Sequence, residues 1–237
     1  MIIAMFLAHL VGDYILQWDE LALWKSREYK GVFVHSLIVS LITLLFALPF
    51  DTGFLPWVLF ICVTHLLVDA AQLPLNRRLA GVQNGYLNLG RFLLDQLIHF
   101  TVIIVALIGG GYLNWGAATS TVLETFAANR MLTYLLAYAF ISMPTWILVE
   151  FLVYGLINGS APDFSLATNK YVGILERWLI TTFVVLGQFL LVPLVAAPRL
   201  FFERSDIQGR RRMTIYVAEL LASIAVATLI GVALRNL

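Results

Sequence analysis

The chain is 237 residues long, 61% hydrophobic and only 12% charged, with a net charge of +1. Soluble domains carry about 25% charged residues, so this composition excludes an ordinary soluble enzyme, and the near-neutral charge gives no basis for nucleic-acid binding. The single cysteine, Cys62, excludes an internal disulfide and a cysteine-built metal site.

A mean hydropathy of +0.89 predicts an all-α, polytopic transmembrane helical bundle, because the backbone of an apolar segment must satisfy its own polar groups in lipid. The first segment, 2–17, lacks a basic leader and a small-residue cleavage site and carries His9 and Asp13 inside the apolar run, so it reads as a retained helix. The mixed aromatic and charged stretch WDELALWKSREYK (18–30) is expected at the membrane interface. Further spans are predicted over 31–49, 54–75, 89–110, 131–157 and 213–234. Residues 112–130 read as an external connection with a short surface helix around VLETFAAN.

The stretch from Tyr171 to Phe202 is long for one span. Read as one, it sets Lys25, Arg27, Lys30, Arg77 and Arg78 opposite Arg204, Arg210, Arg211 and Arg212, against the positive-inside rule. Read as a hairpin near Gly187, it places thirteen of the fifteen Lys and Arg residues on one face, leaving Arg130 and Arg235 on the other. The expectation is about seven spans, or eight hydrophobic segments, with both termini outside and basic loops in the cytoplasm. The chain divides into a four-helix His/Asp half, 1–110, and a second helical half, 111–237.

All four histidines, His9, His35, His65 and His99, fall in the first half. Three have an aspartate four residues away: His9/Asp13, His65/Asp69 and, in reversed order, Asp95/His99. Residues at i and i+4 share a helix face, and the reversed pair lies on the helix running the other way. One layer of histidines above one layer of aspartates is the expected result, with His35 near the aspartates and Gln17, Gln72 and Gln96 at similar depth. An ionisable group at membrane depth costs about 3 kcal/mol on insertion scales and persists mainly when paired or functional. Imidazole and carboxylate together suit zinc, iron or manganese. His9, His65 and His99 are the first candidate ligands. Asp13, Asp69 and Asp95 are further ligands, or partners that fix the imidazole tautomers. A general base comes from Asp13, Asp69, Asp95 or His35.

The second half carries Glu150, Glu176, Arg177 and Glu219. Two readings stand for them: interhelical ion pairs, such as Arg177 with Glu150 or Glu219, and a cofactor-binding cluster that orients substrate or grips a headgroup, since an arginine can hold phosphate bidentately. The run GRRRM (209–213) reads as an orientation signal and a contact for anionic lipid. No H-E-x-x-H, G-x-S-x-G, Walker A or dinucleotide-binding glycine motif occurs.

The runs AHLVGDYILQ (8–17), HS (35–36), HLLVD (65–69), DQLIH (95–99), GILERWLI (173–180) and AELLAS (218–223) resemble a bacterial membrane-protein family known only as a domain of unknown function. The chain departs from it at Pro198 in VAAPRLFF, where a lysine follows the paired alanines in that family. The resemblance implies a multi-pass protein of the bacterial cytoplasmic (inner) membrane and supplies no activity. Loosely, the pattern is similar to membrane-bound metal-dependent hydrolases.

The leading expectation is therefore an intramembrane His/Asp site for a divalent metal near the cytoplasmic face. It would serve hydrolysis of a lipid-linked or membrane-proximal substrate, with membrane lipids as surroundings. One alternative is a non-enzymatic accessory or structural subunit of a larger membrane complex, with its polar layer holding helices together or carrying a pigment or haem. Another is ion or proton transport.

Overall fold

The computed structural model describes residues 1–79, 81–162, 164, 170–202 and 210–237. Arg204 and the side chains of Arg210, Arg211 and Arg212, counted above among the basic residues of one face, lie outside that description, as does Gly209 of the GRRRM run. Among the described residues no strand occurs, and the helices are α1 (Ile2–Leu10), α2 (Asp19–Arg27), α3 (Tyr29–Ala47), α4 (Leu55–Arg78), α5 (Gly85–Gly109), α6 (Ala118–Ala128), α7 (Arg130–Ile141), α8 (Met143–Val153), α9 (Lys170–Val185), α10 (Leu191–Phe202) and α11 (Arg210–Arg235).

Among the described residues, four stretches are long and apolar enough to cross a membrane: Tyr29–Ala47, Thr52–Arg78, Gly85–Gly109 and Met213–Arg235. A fifth is reached if α7 and α8 together make one broken span. The expected first span is shorter than predicted, because its α-helical hydrogen bonding stops at Leu10 and a π-turn, Val11–Ile15, finishes it. The 171–202 stretch divides into α9 and α10. The chain turns at Gly187, whose φ of +75° favours glycine, and Gln188 N–H bonds back to the Phe183 carbonyl at 2.7 Å, closing α9 in a Schellman-type cap.

The chain forms two compact units, Met1–Val82 with Leu93–Ala139, and Gln83–Phe92 with Phe140–Leu237. In the first, Ile2 and Met5 pack with Phe54, Val58 and Ile61 of the α4 region and with Ile103 and Leu107 of α5. The outer faces invert the soluble pattern. On α3, Phe33, Leu37, Leu41 and Leu45 are exposed at four-residue spacing while His35, Ser36 and Thr43 are buried. The Thr43 hydroxyl is satisfied within its own helix, donating to the Val39 carbonyl at 2.8 Å, whereas the Ser36 hydroxyl is buried with no hydrogen-bond partner. Helix α2 lies hard against α3: a Cβ on Gly31 would fall 2.5 Å from the backbone nitrogen of Lys25, so this position accepts only glycine without moving α2.

The connection from α3 to α4 is tied down at its tip. Tyr112 Oη donates to Asp51 Oδ2 at 2.6 Å, and Gly53 N–H donates to Asp51 Oδ1 at 2.7 Å. The tyrosine bond first, and the Gly53 amide second, hold the Asp51 carboxyl below its ordinary value. A depressed carboxylate stabilises the fold above its unfolded pKa of about 3.9 and loses that contribution as pH falls through the folded value. Tyr112→Phe is therefore expected to flatten the acid-side decline of the melting temperature in detergent, measured between about pH 5 and pH 2.

In the second unit α9 and α11 cross closely, since a Cβ on Gly231 would lie 2.8 Å from Val184. Ile180, Val184 and Ala227 form the core of that crossing. The break between α7 and α8 follows from Pro144, which has no N–H to offer the Phe140 carbonyl. Thr145 Oγ1 donates there instead, at 2.7 Å. Arg177, buried in α9, takes the neighbouring carbonyls: its Nε donates to Ile141 O at 2.6 Å and its guanidinium to Ser142 O at 3.0 Å and to Ser223 Oγ at 3.0 Å. Arg177 thus caps a helix break rather than pairing with Glu150 or Glu219, and among the described residues an ion pair joins Glu176 to Arg199 at 3.3 Å.

Candidate metal centre

The candidate ligands come from several elements of the first unit: His9 from α1, Asp13 from the π-turn after it, His35 from α3, His65 and Asp69 from α4, and Asp95 and His99 from α5. The π-turn that follows α1 inserts an extra residue per turn and redirects the side chains beyond it. Gly12 lets this turn lie on α3, where a Cβ would meet Val39 at 3.2 Å. The consequence is that Asp13 faces α3: His35 Nε2 donates to Asp13 Oδ1 at 2.8 Å, whereas His9 Nδ1 stays 3.9 Å from Asp13 Oδ2. The expected His9/Asp13 rung is therefore loose, and His9 bonds instead to Gln96 Oε1 at 3.2 Å.

From α4, His65 and Asp69 complete the centre. His65 Nε2 is 3.3 Å from His35 Nε2, 3.7 Å from Asp13 Oδ1 and 3.4 Å from Asp69 Oδ2, and His35 Nε2 is 3.6 Å from Asp69 Oδ2. Two triangles of ligand atoms share the His35–His65 edge, one closed by Asp13 and the other by Asp69. Zinc bonds of about 2.0–2.1 Å in a tetrahedron require ligand atoms roughly 3.3 Å apart, and both triangles scatter about that value. His35, His65, Asp13 and Asp69 are all buried.

The fourth histidine borders this centre. His99 Nε2 lies 3.9 Å from Asp69 Oδ1, so the two oxygens of Asp69 face different imidazoles. His65, Asp69 and His99 form a second group whose ligand atoms lie within 4.8 Å of one another. Asp95 sits at the rim: its side chain is 23% exposed, it lies 3.2 Å from His99 Nδ1, and Gln72 and Gln96 both donate to it. A cavity of about 10 Å³ opens between His9, His65 and His99 and the apolar side chains of Met5, Val39 and Ile61, enough for about one water. His35 Nδ1 and His99 Nε2 are buried with no hydrogen-bond partner.

Sequence reasoning missed one charged member. Lys25 of α2 places its Nζ 2.9 Å from Asp69 Oδ2 and 3.9 Å from Asp13 Oδ1, and donates to Gln17 Oε1 at 3.3 Å. Burial opposes the charge on Lys25, but the Asp69 and Asp13 carboxylates outweigh it and raise its pKa above the ordinary lysine value. The signal was present in the interfacial stretch: Lys25 follows the buried Leu21 by one turn and so shares its inward face.

Glu150, Glu176, Arg177 and Glu219 belong to the second unit. Glu176 and Arg177 are buried there, and Glu150 and Glu219 are half-buried.

No curated protein and no solved structure matches the sequence. A family profile does match, over residues 1–127; it takes in AHLVGDYILQ, HLLVD and DQLIH together with Lys25, and it ends before the 173–180 and 218–223 motifs. On that match, which spans more than half of the chain and every residue of the His/Asp centre, the protein belongs to the DUF3307 family, described as a protein of unknown function.

Proposed function

We propose that the protein is a multi-pass protein of the bacterial cytoplasmic membrane that holds a divalent ion, zinc, iron or manganese, in its first unit. The observation that carries this reading is the pair of N,N,O triangles on the shared His35–His65 edge, whose separations of 2.8–3.7 Å match the spacing a small divalent ion demands. His35 joins His65, Asp13 and Asp69 as a ligand in this proposal. His99, Asp95 and His9 surround the centre, with Gln72 and Gln96 orienting Asp95 and His9. Membrane residence is supported by the stretches long and apolar enough to span and by the exposed leucine stripe of α3.

A metal in such a site lowers the pKa of a bound water and polarises an ester or phosphoester. In this reading the water-sized cavity beside His65 and His99 gives room for a nucleophile, and Asp95, which does not line that cavity, would act on it through His99, whose Nδ1 is 3.2 Å away. The reaction class proposed is hydrolysis of a lipid-linked or membrane-proximal substrate. Metal analysis of the full chain purified in detergent tests the centre directly. About one zinc, iron or manganese per chain is expected, and a folded, metal-free protein that takes up none of the three overturns the reading.

A second reading is favoured by the Lys25–Asp69 ion pair. The polar residues would then lock α1, α3, α4 and α5 together without metal, as in a structural subunit of a membrane complex. The same metal-free, folded preparation would support it.

A further inference from the structure

Two buried carboxylates need a compensating positive charge, and in this structure an ammonium group supplies it. Lys25 Nζ approaches Asp69 Oδ2 at 2.9 Å and Asp13 Oδ1 at 3.9 Å. These are the same two oxygen atoms that close the ligand triangles on His35 and His65. The reach is built into the fold. Gly31 allows the α2 backbone at Lys25 and Trp24 to come within 2.5 Å of where a Cβ would stand, and the buried Leu21 anchors α2 one turn earlier.

An ion held by Asp13 Oδ1 or Asp69 Oδ2 lies about 2.0–2.2 Å from that oxygen. An ammonium left in place would then sit within a few ångströms of a doubly charged ion, where repulsion in a low-dielectric interior is strong. Charge makes the same point. Two carboxylates balance one divalent ion, or one ammonium with one further proton, but not a divalent ion and the ammonium together.

Resting on the metal-centre reading, we propose that Lys25 is the specificity-determining residue of the centre: its ammonium holds the cation position of the metal-free site, and only a divalent ion displaces it. A monovalent ion carries no more charge than the ammonium and has no electrostatic advantage over it. Loading with metal therefore moves Lys25 off Asp69 and frees it at the interfacial helix α2.

The test uses the full chain in detergent as wild type, Lys25→Met and Lys25→Arg, titrated with zinc and with manganese. Lys25→Met is expected to bind both ions at least about tenfold more tightly than wild type, while Lys25→Arg, which keeps the charge, shows no gain. In wild type, zinc is expected to raise labelling of Lys25 by an amine-reactive reagent several-fold, read by mass spectrometry. That measurement decides the matter if Lys25→Met folds poorly. Recovery of Lys25→Met by zinc during purification would support the proposal. Equal affinities in wild type and Lys25→Met, or labelling unchanged by zinc, overturn the role of Lys25 and leave the metal centre standing. Absence of zinc and manganese binding in all three proteins, with no iron taken up by any of them, overturns the metal centre itself.

Discussion

His65→Ala is expected to abolish stoichiometric metal binding, the largest loss of any single substitution in the centre. His65 Nε2 belongs to both ligand triangles and to the neighbouring group with Asp69 and His99, so its removal opens every arrangement at once. Substitutions in groups that merely orient metal ligands cost about 10–100-fold in affinity; loss of a shared ligand is expected to exceed about 100-fold. His9→Ala provides the contrast. His9 bonds to Gln96 and stays 3.9 Å from Asp13, so it is expected to cost no more than an orienting group does. Metal content of the two purified variants, with circular dichroism to establish helix content, separates the cases. A His65→Ala protein that keeps its full metal complement would remove this histidine from the site.

Arg177→Ala carries the second large effect, and it falls on stability. The Arg177 side chain is 2% exposed and donates to the carbonyls of Ile141 and Ser142 and to Ser223 Oγ. Each buried acceptor left unsatisfied costs about 1–3 kcal/mol, and loss of the guanidinium also leaves a void beside the α7–α8 break. A total near 3–5 kcal/mol is expected, which lowers the melting temperature by roughly 10 °C for a chain of this size. Ser223→Ala removes a single partner and is expected to cost about 1 kcal/mol. Thermal unfolding in one detergent compares all three proteins. An Arg177→Ala variant as stable as Ser223→Ala would show that the carbonyls at the break find other donors.

Much of this was legible in the order of residues. Apolar stretches around α3, α4, α5 and α11 announce helices long enough to span a bilayer, since lipid leaves the backbone no other partner. Gly187 marks the turn between α9 and α10 because its positive φ suits glycine. The spacing of His65 with Asp69, and of Asp95 with His99, places each pair on one face of its helix, and these pairs do meet, at 3.4 Å and 3.2 Å.

The first pair shows where that logic ends. His9 and Asp13 carry the same spacing, but the π-turn at Val11–Ile15 shifts the register between them, and Asp13 turns to His35. A four-residue spacing predicts shared faces only while the helix remains α, and the change of hydrogen bonding at Leu10 has no signature in the hydrophobic pattern. Arg177 is a comparable case. Its buried position in GILERWLI suggested an acidic partner, yet the break opened by Pro144 offered it carbonyl groups from another helix.

Residue order thus marked the apolar helices and the helix faces that His65 shares with Asp69 and Asp95 with His99, because both follow from local periodicity and composition. The choice of neighbours came from packing: His35 beside Asp13 and His65, and Lys25 reaching in from α2 past Gly31. Those contacts join residues separated by 22 to 44 positions (His35 from Asp13, Asp69 from Lys25). Local pattern holds no record of them, since helices that share the same apolar faces can pack in more than one pairing.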